Sequence, residues 1–168
     1  MISISAKTDF PRDLGAKTQR AIVRLLQRVG SEARIVAVAK APRDTGQLIN
    51  SITIVRPRKD FLVGGITTNL PYAIVMEDGR EPGKKFPPLL PIQRWVLRHR
   101  DVFGIKDANS KKGQRQLKSV TYLVRRKIAK KGIPGHFFFR SAEIKIRSEF
   151  GRQIEALGLE IQLAWNGG

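Results

Sequence analysis

"KAPRDTGQLINSI", Lys40 to Ile52, is the stretch where one kind of structure must give way to another. Before it, Leu14, Ala21, Ile22, Leu25, Leu26, Val29, Ala33, Val36 and Ala37 recur at helical spacing, so a long helix leads in. Lys17, Arg20, Arg24 and Arg28 line a different face, as a solvated side would. Gly30-Ser31 is where that helix is expected to kink or split, because Gly is about 1 kcal/mol worse than Ala there. Pro42 biases Ala41 away from helical backbone, so the helix should end near Ala41. After the stretch come Ile52-Thr53-Ile54-Val55, a turn at Pro57-Arg58-Lys59-Asp60, and Phe61-Leu62-Val63-Gly64-Gly65-Ile66. Two β-rich runs about a short turn read as a hairpin. Between helix and hairpin, Asp44 is placed to accept backbone N–H groups two or three residues on, as an Asx-turn or N-cap. Gly46 is placed to supply a positive φ or a close backbone approach. Pro42, Asp44, Thr45, Gly46, Leu48, Ser51 and Ile52 therefore read as a corner between a long helix and a sheet.

Asp44-Thr45-Gly46 is also the triplet of aspartic-protease catalytic centres. There the Asp sits in a buried hairpin fed by an apolar strand and shares a proton with a second Asp. Here a helix, Pro42 and Arg43 lead in, and Gln47-Leu48 follow, so the flanks argue against catalysis. Only His99 and His136 are available as bases, and two isolated histidines make no usual zinc site. His136, in "GIPGHFFF", is read as packing or capping the next helix. Glu77-Asp78 and Glu81 lie beside Arg80, Lys84 and Lys85, which reads as local salt bridging. No Walker-type phosphate loop occurs. No enzyme activity, metal or cofactor is expected.

The rest of the chain extends an α+β picture: a small antiparallel β-sheet packed by a long N-terminal and a long C-terminal helix, with extended loops. Ile2 and Ile4 alternate with Ser3 and Ser5 as in a short strand. Tyr72–Glu77 reads as a strand or a single helical turn. Residues 79–91 form a Gly/Pro-rich loop, and Pro91 suits the first turn of a helix carrying Trp95, Val96 and His99. Residues 106–116 contain no large apolar residue and read as an exposed basic tip. Val120–Ala129 reads as a helix stopped by "KKGIPG". Another helix follows over Phe138–Leu157, with Phe138, Ala142, Ile146, Phe150, Ile154 and Leu157 inward. "LEIQLAW" after Gly158 alternates like a final strand, although Ile154, Leu157, Ile161 and Trp165 also suit a continuing helix. With 168 residues, one domain over 1–168 is expected, with 158–168 a tail.

Composition narrows the partners. The chain has 41% hydrophobic residues, no Cys, and 32 Lys+Arg against 14 Asp+Glu, a formal charge of +18. That excess draws a protein to polyanions. No stretch approaches the roughly 18 apolar residues of a membrane span, and "MISISAKTDF" lacks the pattern of a secretory signal. Residues 106–131 hold ten Lys/Arg against one acid, Asp107. Lys111, Lys112, Arg115, Lys118, Arg125, Arg126, Lys127, Lys130 and Lys131 are thus candidates to face DNA or an acidic partner. Aromatics are not interleaved with them, which argues against stacking on a single strand.

Three segments carry a family resemblance. "AKAPRDTGQLINSI" resembles the Ala-Pro-x-(Asp)-Thr-Gly-x-Leu-x-x-Ser-Ile signature of a tail-component family of tailed bacteriophages, the tail-completion or head–tail joining (neck) proteins of lambdoid-type siphophages. "PYAIVMEDGREPGKKFPPLLPIQRWV" is similar to its Tyr-Ala-x-x-x-Glu-x-Gly segment, Pro-rich loop and Trp-bearing helix. "LVRRKIAKKGIPGHFFFRSA" is similar to its basic helix, Gly turn, aromatic and Ala. The matched residues are Tyr72, Ala73, Glu77, Gly79, Pro88, Trp95, Gly132, Phe137, Phe138 and Ala142. Asp78, between the Glu and the Gly, departs from the small or aromatic residue usual there. The resemblance implies a non-catalytic virion protein, assembled in the host cytoplasm, that forms a ring of six subunits at the head–tail junction. Its implied neighbours are a neck or connector protein and the tail tube or tail terminator, with packaged double-stranded DNA in the channel and no membrane. The alternative is a basic nucleic-acid-binding domain without sequence preference, acting outside any virion.

Overall fold

The computed structural model describes residues 2–7, 15–58 and 62–166. The chain forms two compact units, residues 1–78 with 135–168, and residues 79–134.

The first unit is α+β, as the sequence implies. Its strands are β1 (Ile2–Lys7), β2 (Thr53–Val55) and β3 (Val63–Thr68), in the order β1-β3-β2. Both pairings are antiparallel, with Ile4 and Ile54 each opposite Ile66. The expected hairpin is β2–β3; part of its turn, 59–61, lies outside the described residues, as does Leu14. Helix α1 (Ala16–Lys40) runs unbroken through Gly30-Ser31, so the helix does not split there. Gly30 has another use: a Cβ there would stand 2.7 Å from Ile54 Cγ2, and one at Gly64 would stand 2.8 Å from Leu26 Cβ. Missing side chains on both surfaces let helix and sheet approach closely.

Helix α6 (Phe138–Asn166) packs along α1. Ala21, Ile22, Leu25, Leu26 and Val29 meet Leu157, with Ile146 and Ile161 beside them. That contact answers the ambiguity after Gly158. Of the two readings the continuing helix holds and the strand does not, because the Leu157–Ile161 spacing of four lets α6 continue along α1. Ile154 is outside this seam and 47% exposed, contrary to expectation. Short helices α2 (Gln47–Ser51) and α3 (Ala73–Asp78) complete the unit, so Tyr72–Glu77 is mostly a helical turn.

The second unit packs α4 (Leu89–Arg98) on α5 (Lys111–Lys131) around Val96, Ile105 and Leu117. Trp95 stands edge-on to Phe103, ring centroids 5.8 Å apart. Arg80 and Ile133 exchange two backbone hydrogen bonds of 2.8 Å, pairing the two ends of the unit. The exposed tip expected over 106–116 is a correction: residues 111–116 are already helix. Ser110 caps it, its Oγ accepting from Gly113 N at 3.1 Å. Gly113 takes the first buried position of the helix, so no apolar residue announces it until Leu117.

Candidate functional site

The corner forms where the sequence places it. Helix α1 closes with Ala41 N donating to Ala37 O at 2.9 Å, and Ala41 turns extended into Pro42. Gly46 has φ +79°, the left-handed conformation that Gly adopts at no Cβ penalty. The N-cap of α2 is Gly46 itself rather than Asp44. Thr45 Oγ1 takes the Gln47 amide at a long 3.4 Å. Asp44 is exposed, unlike a carboxylate held in a buried hairpin.

Leu48 and Ile52 turn inward and are buried. Ser51 Oγ donates to Leu48 O at 2.7 Å and lies 2.7 Å from Thr68 Oγ1. With its one proton used on Leu48, Ser51 must accept from Thr68, whose oxygen in turn accepts from Leu70 N at 3.3 Å. The hydroxyl pair thereby ties α2 to the end of β3. From α1, Arg34 Nε donates to Ile52 O at 2.8 Å. Neither Arg34 nor Thr68 stood out in the sequence, since each acts across 17 or 18 residues.

Glu77 is the largest departure from the sequence reading. It is not part of a surface salt-bridge cluster: it is 6% exposed. Its Oε2 accepts from Phe139 N at 2.8 Å and its Oε1 from Arg140 N at 2.9 Å. One carboxylate thus satisfies two amides of the first turn of α6, which no residue of that helix can satisfy. Its negative charge also sits at the positive end of the helix dipole. The backbone extends the clasp, with His136 N donating to Met76 O at 2.9 Å and Phe137 N to Glu77 O at 3.1 Å. Phe137 pays a local strain, φ +48° in a non-Gly residue. A Cβ on Gly135 would stand 2.6 Å from Glu77 O, so the approach requires Gly. His136, expected to cap or pack, is exposed, and Glu77 does the capping. Glu81 behaves as read, pairing with Lys84 at 3.0 Å on the surface.

The corner and clasp share one core. Leu48, Ile52, Ala73, Phe138 and Ala142 lie in a single buried cluster with Ala37, Ala41 and Ile66. Tyr72 is at its exposed margin, 39% accessible. Pro88, Trp95 and Gly132 belong to the second unit. Pro88 is the N-cap of α4 and Gly132, φ +74°, the C-cap of α5. Gly79 also has a positive φ, +81°.

The predicted basic residues lie on α5. Arg125 is engaged within its own unit, its Nε donating to Pro87 O at 2.8 Å and its guanidinium 5.3 Å from the Phe86 ring centre. Lys111, Lys112, Arg115, Lys118, Arg126, Lys127, Lys130 and Lys131 are exposed. Among the described residues no group of three or more His, Cys, Asp or Glu gathers as a metal site, and no helix is long and apolar enough to cross a membrane.

The family described as "Bacteriophage HK97-gp10, putative tail-component" matches the chain over residues 8–79. Residues 8–79 are similar to that tail-component family. The HK97-gp10-like segment takes in α1, the corner, the β2–β3 hairpin and α3 up to Gly79. It therefore ends just after Glu77, one half of the clasp; the other half, at Phe139 and Arg140, lies beyond it. No curated protein and no solved structure matches the chain.

Proposed function

We propose that the protein is a structural component of a phage virion, placed at the neck. There it forms a ring, of six subunits, that completes the tail and joins it to the head connector. The observation that carries this reading is the tail-component match over residues 8–79, which takes in the corner and Glu77. A rigid corner suits a structural part: its turns are set by Gly46 and by hydrogen bonds that reach across the chain. β1 and β2 are the outer strands of a three-stranded sheet and each has one strand neighbour among the described residues. Such edges accept a neighbouring subunit, and head-to-tail contacts close into a ring when the rotation permits. Neighbours would be the connector-side neck protein on one side and the tail tube or tail terminator on the other.

Native mass measurement and electron microscopy of the purified protein, alone and with isolated heads and tails, test this. Rings that associate with either particle are expected, and a phage lacking the gene should accumulate unjoined heads and tails. A monomer that binds neither particle, together with normal joining in the deletion phage, refutes it. Such an outcome would favour the alternative, a basic nucleic-acid-binding domain outside the virion, for which α5 is the supporting observation.

A further inference from the structure

We infer that the solvent face of α5 is a binding surface for the phosphate backbone of double-stranded DNA. The helix has nine Lys/Arg and no Asp or Glu in 21 residues. With Arg125 used internally, eight exposed cations remain, and among the described residues no carboxylate pairs with any of them. Helix α6 differs. On α6, Arg147 and Lys145 are neutralised by Glu143 and Glu149 four residues away. On α5, by contrast, Lys111–Arg115, Arg126–Lys130 and Lys127–Lys131 are like charges at the same spacing, which destabilises a helix. Lys111 and Lys112 also lie at the N-terminal end, where the helix dipole disfavours cations. An external polyanion relieves all of these repulsions at once.

The arrangement fits phosphates better than an acidic protein. At about 100° per residue, Gly113, Leu117 and Thr121 mark the packed side. Lys112, Arg115, Arg126 and Lys130 lie within about 40° of the opposite direction, Lys111 and Lys118 flank them, and Lys127 and Lys131 lie nearer the packed side. That central row spans about 27 Å at 1.5 Å per residue, against one phosphate per about 3.4 Å along each strand of a duplex. The remaining exposed polar residues on α5, Gln114, Gln116, Ser119 and Tyr122, all carry hydrogen-bond donors suited to phosphate oxygens. The buried core of a protein interface is usually depleted in charge, Lys above all. Here the only large exposed apolar side chains are Tyr122 and Leu123, and Tyr122 already stacks on Phe86, centroids 6.0 Å apart. The lack of an aromatic row favours duplex over single strand. This inference does not depend on a place in the neck.

The test is fluorescence anisotropy with a random-sequence duplex of 30 base pairs across 50–200 mM salt. It compares the full chain, a K111Q/R115Q/K118Q/R126Q variant, and an R20Q/R28Q/K40Q/R43Q variant that loses the same charge from exposed positions in the first unit. Circular dichroism and melting curves confirm that both variants fold. Expected are salt-sensitive binding by the full chain and a log–log salt slope shallower by about 3–4 in the α5 variant, at roughly 0.9 per lost phosphate contact. Affinity at low salt should fall at least about 100-fold, while the first-unit variant keeps its slope within about 1. Equal losses in both variants would reduce the effect to net charge and overturn the inference. So would salt-independent binding, or tighter binding to a single strand of the same length. An α5 variant that binds duplex normally but no longer docks on isolated heads or tails would make the surface a protein-docking one instead. Native mass measurement on the same variants reads ring formation separately, so failure of the ring and failure of DNA binding remain distinguishable.

Discussion

Replacing Glu77 with Ala tests whether the fold depends on the clasp. The carboxylate is 6% exposed and accepts two amide hydrogen bonds of 2.8 and 2.9 Å. A hydrogen bond to a charged group contributes about 1.5–3 kcal/mol, and an orphaned buried donor costs about 1–3 kcal/mol. The Phe139 amide is buried and would be orphaned; the Arg140 amide is partly buried and can turn to water. Removing the carboxylate also relieves its own desolvation, so the two terms do not add in full. A net loss of about 2–3 kcal/mol follows. In a chain of this size each kcal/mol shifts Tm by about 2–4 °C, so Tm should fall by roughly 5–10 °C. Glu77→Gln should lose less, about 1–2 kcal/mol, because one carbonyl oxygen still accepts while the NH₂ group faces a donor. Urea and thermal unfolding followed by circular dichroism supply the free energies. Amide exchange of Phe139 and Arg140 supplies the local check, and both should exchange faster in Glu77→Ala. A loss below about 0.5 kcal/mol with unchanged exchange would refute the clasp, since that is within the roughly 0.2–1 kcal/mol of an exposed ion pair.

Other substitutions probe neighbouring claims. Gly46→Val should destabilise by at least about 1–2 kcal/mol through its left-handed backbone, more than Asp44→Ala, because the cap is Gly46 itself; equal melting temperatures for wild type and Gly46→Val would disprove the corner. Gly135→Ala should cost more than about 2 kcal/mol, because its Cβ meets backbone at Glu77 O rather than a movable side chain; an unchanged urea midpoint would contradict that. Lys84→Gln, which breaks an exposed pair with Glu81, should change stability by less than about 0.5 kcal/mol. Ser110→Ala should cost about 1 kcal/mol and speed amide exchange at Gly113, where the cap is lost.

Much of the fold was legible along the chain because the governing forces are local. The apolar stripe of α1, the stop at Pro42, the positive φ of Gly46 and the β2–β3 hairpin each depend on residues a few positions apart. The basic face of α5 was legible for the same reason, since charge is counted and not folded. The N-terminal turns of α5 were hidden because Gly113 fills a buried position without an apolar side chain. The end of α6 was ambiguous because its apolar residues satisfy both periods, and only contact with α1 selects one.

Glu77 marks the limit. In the sequence it stands among Asp78, Arg80 and Glu81, and nothing local separates it from them. Its partners lie 62 and 63 residues away, at the start of a helix whose own chain offers no acceptor. The same holds for Ser51 with Thr68 and for Arg34 with Ile52. The sequence alone determined the long first helix, its stop at the corner, the hairpin after it, where the charge lies, and which family residues 8–79 resemble. Tertiary structure alone decided which carboxylate is buried and which amides it satisfies. A buried hydrogen bond depends on what surrounds both groups, and that environment exists only once distant segments have packed.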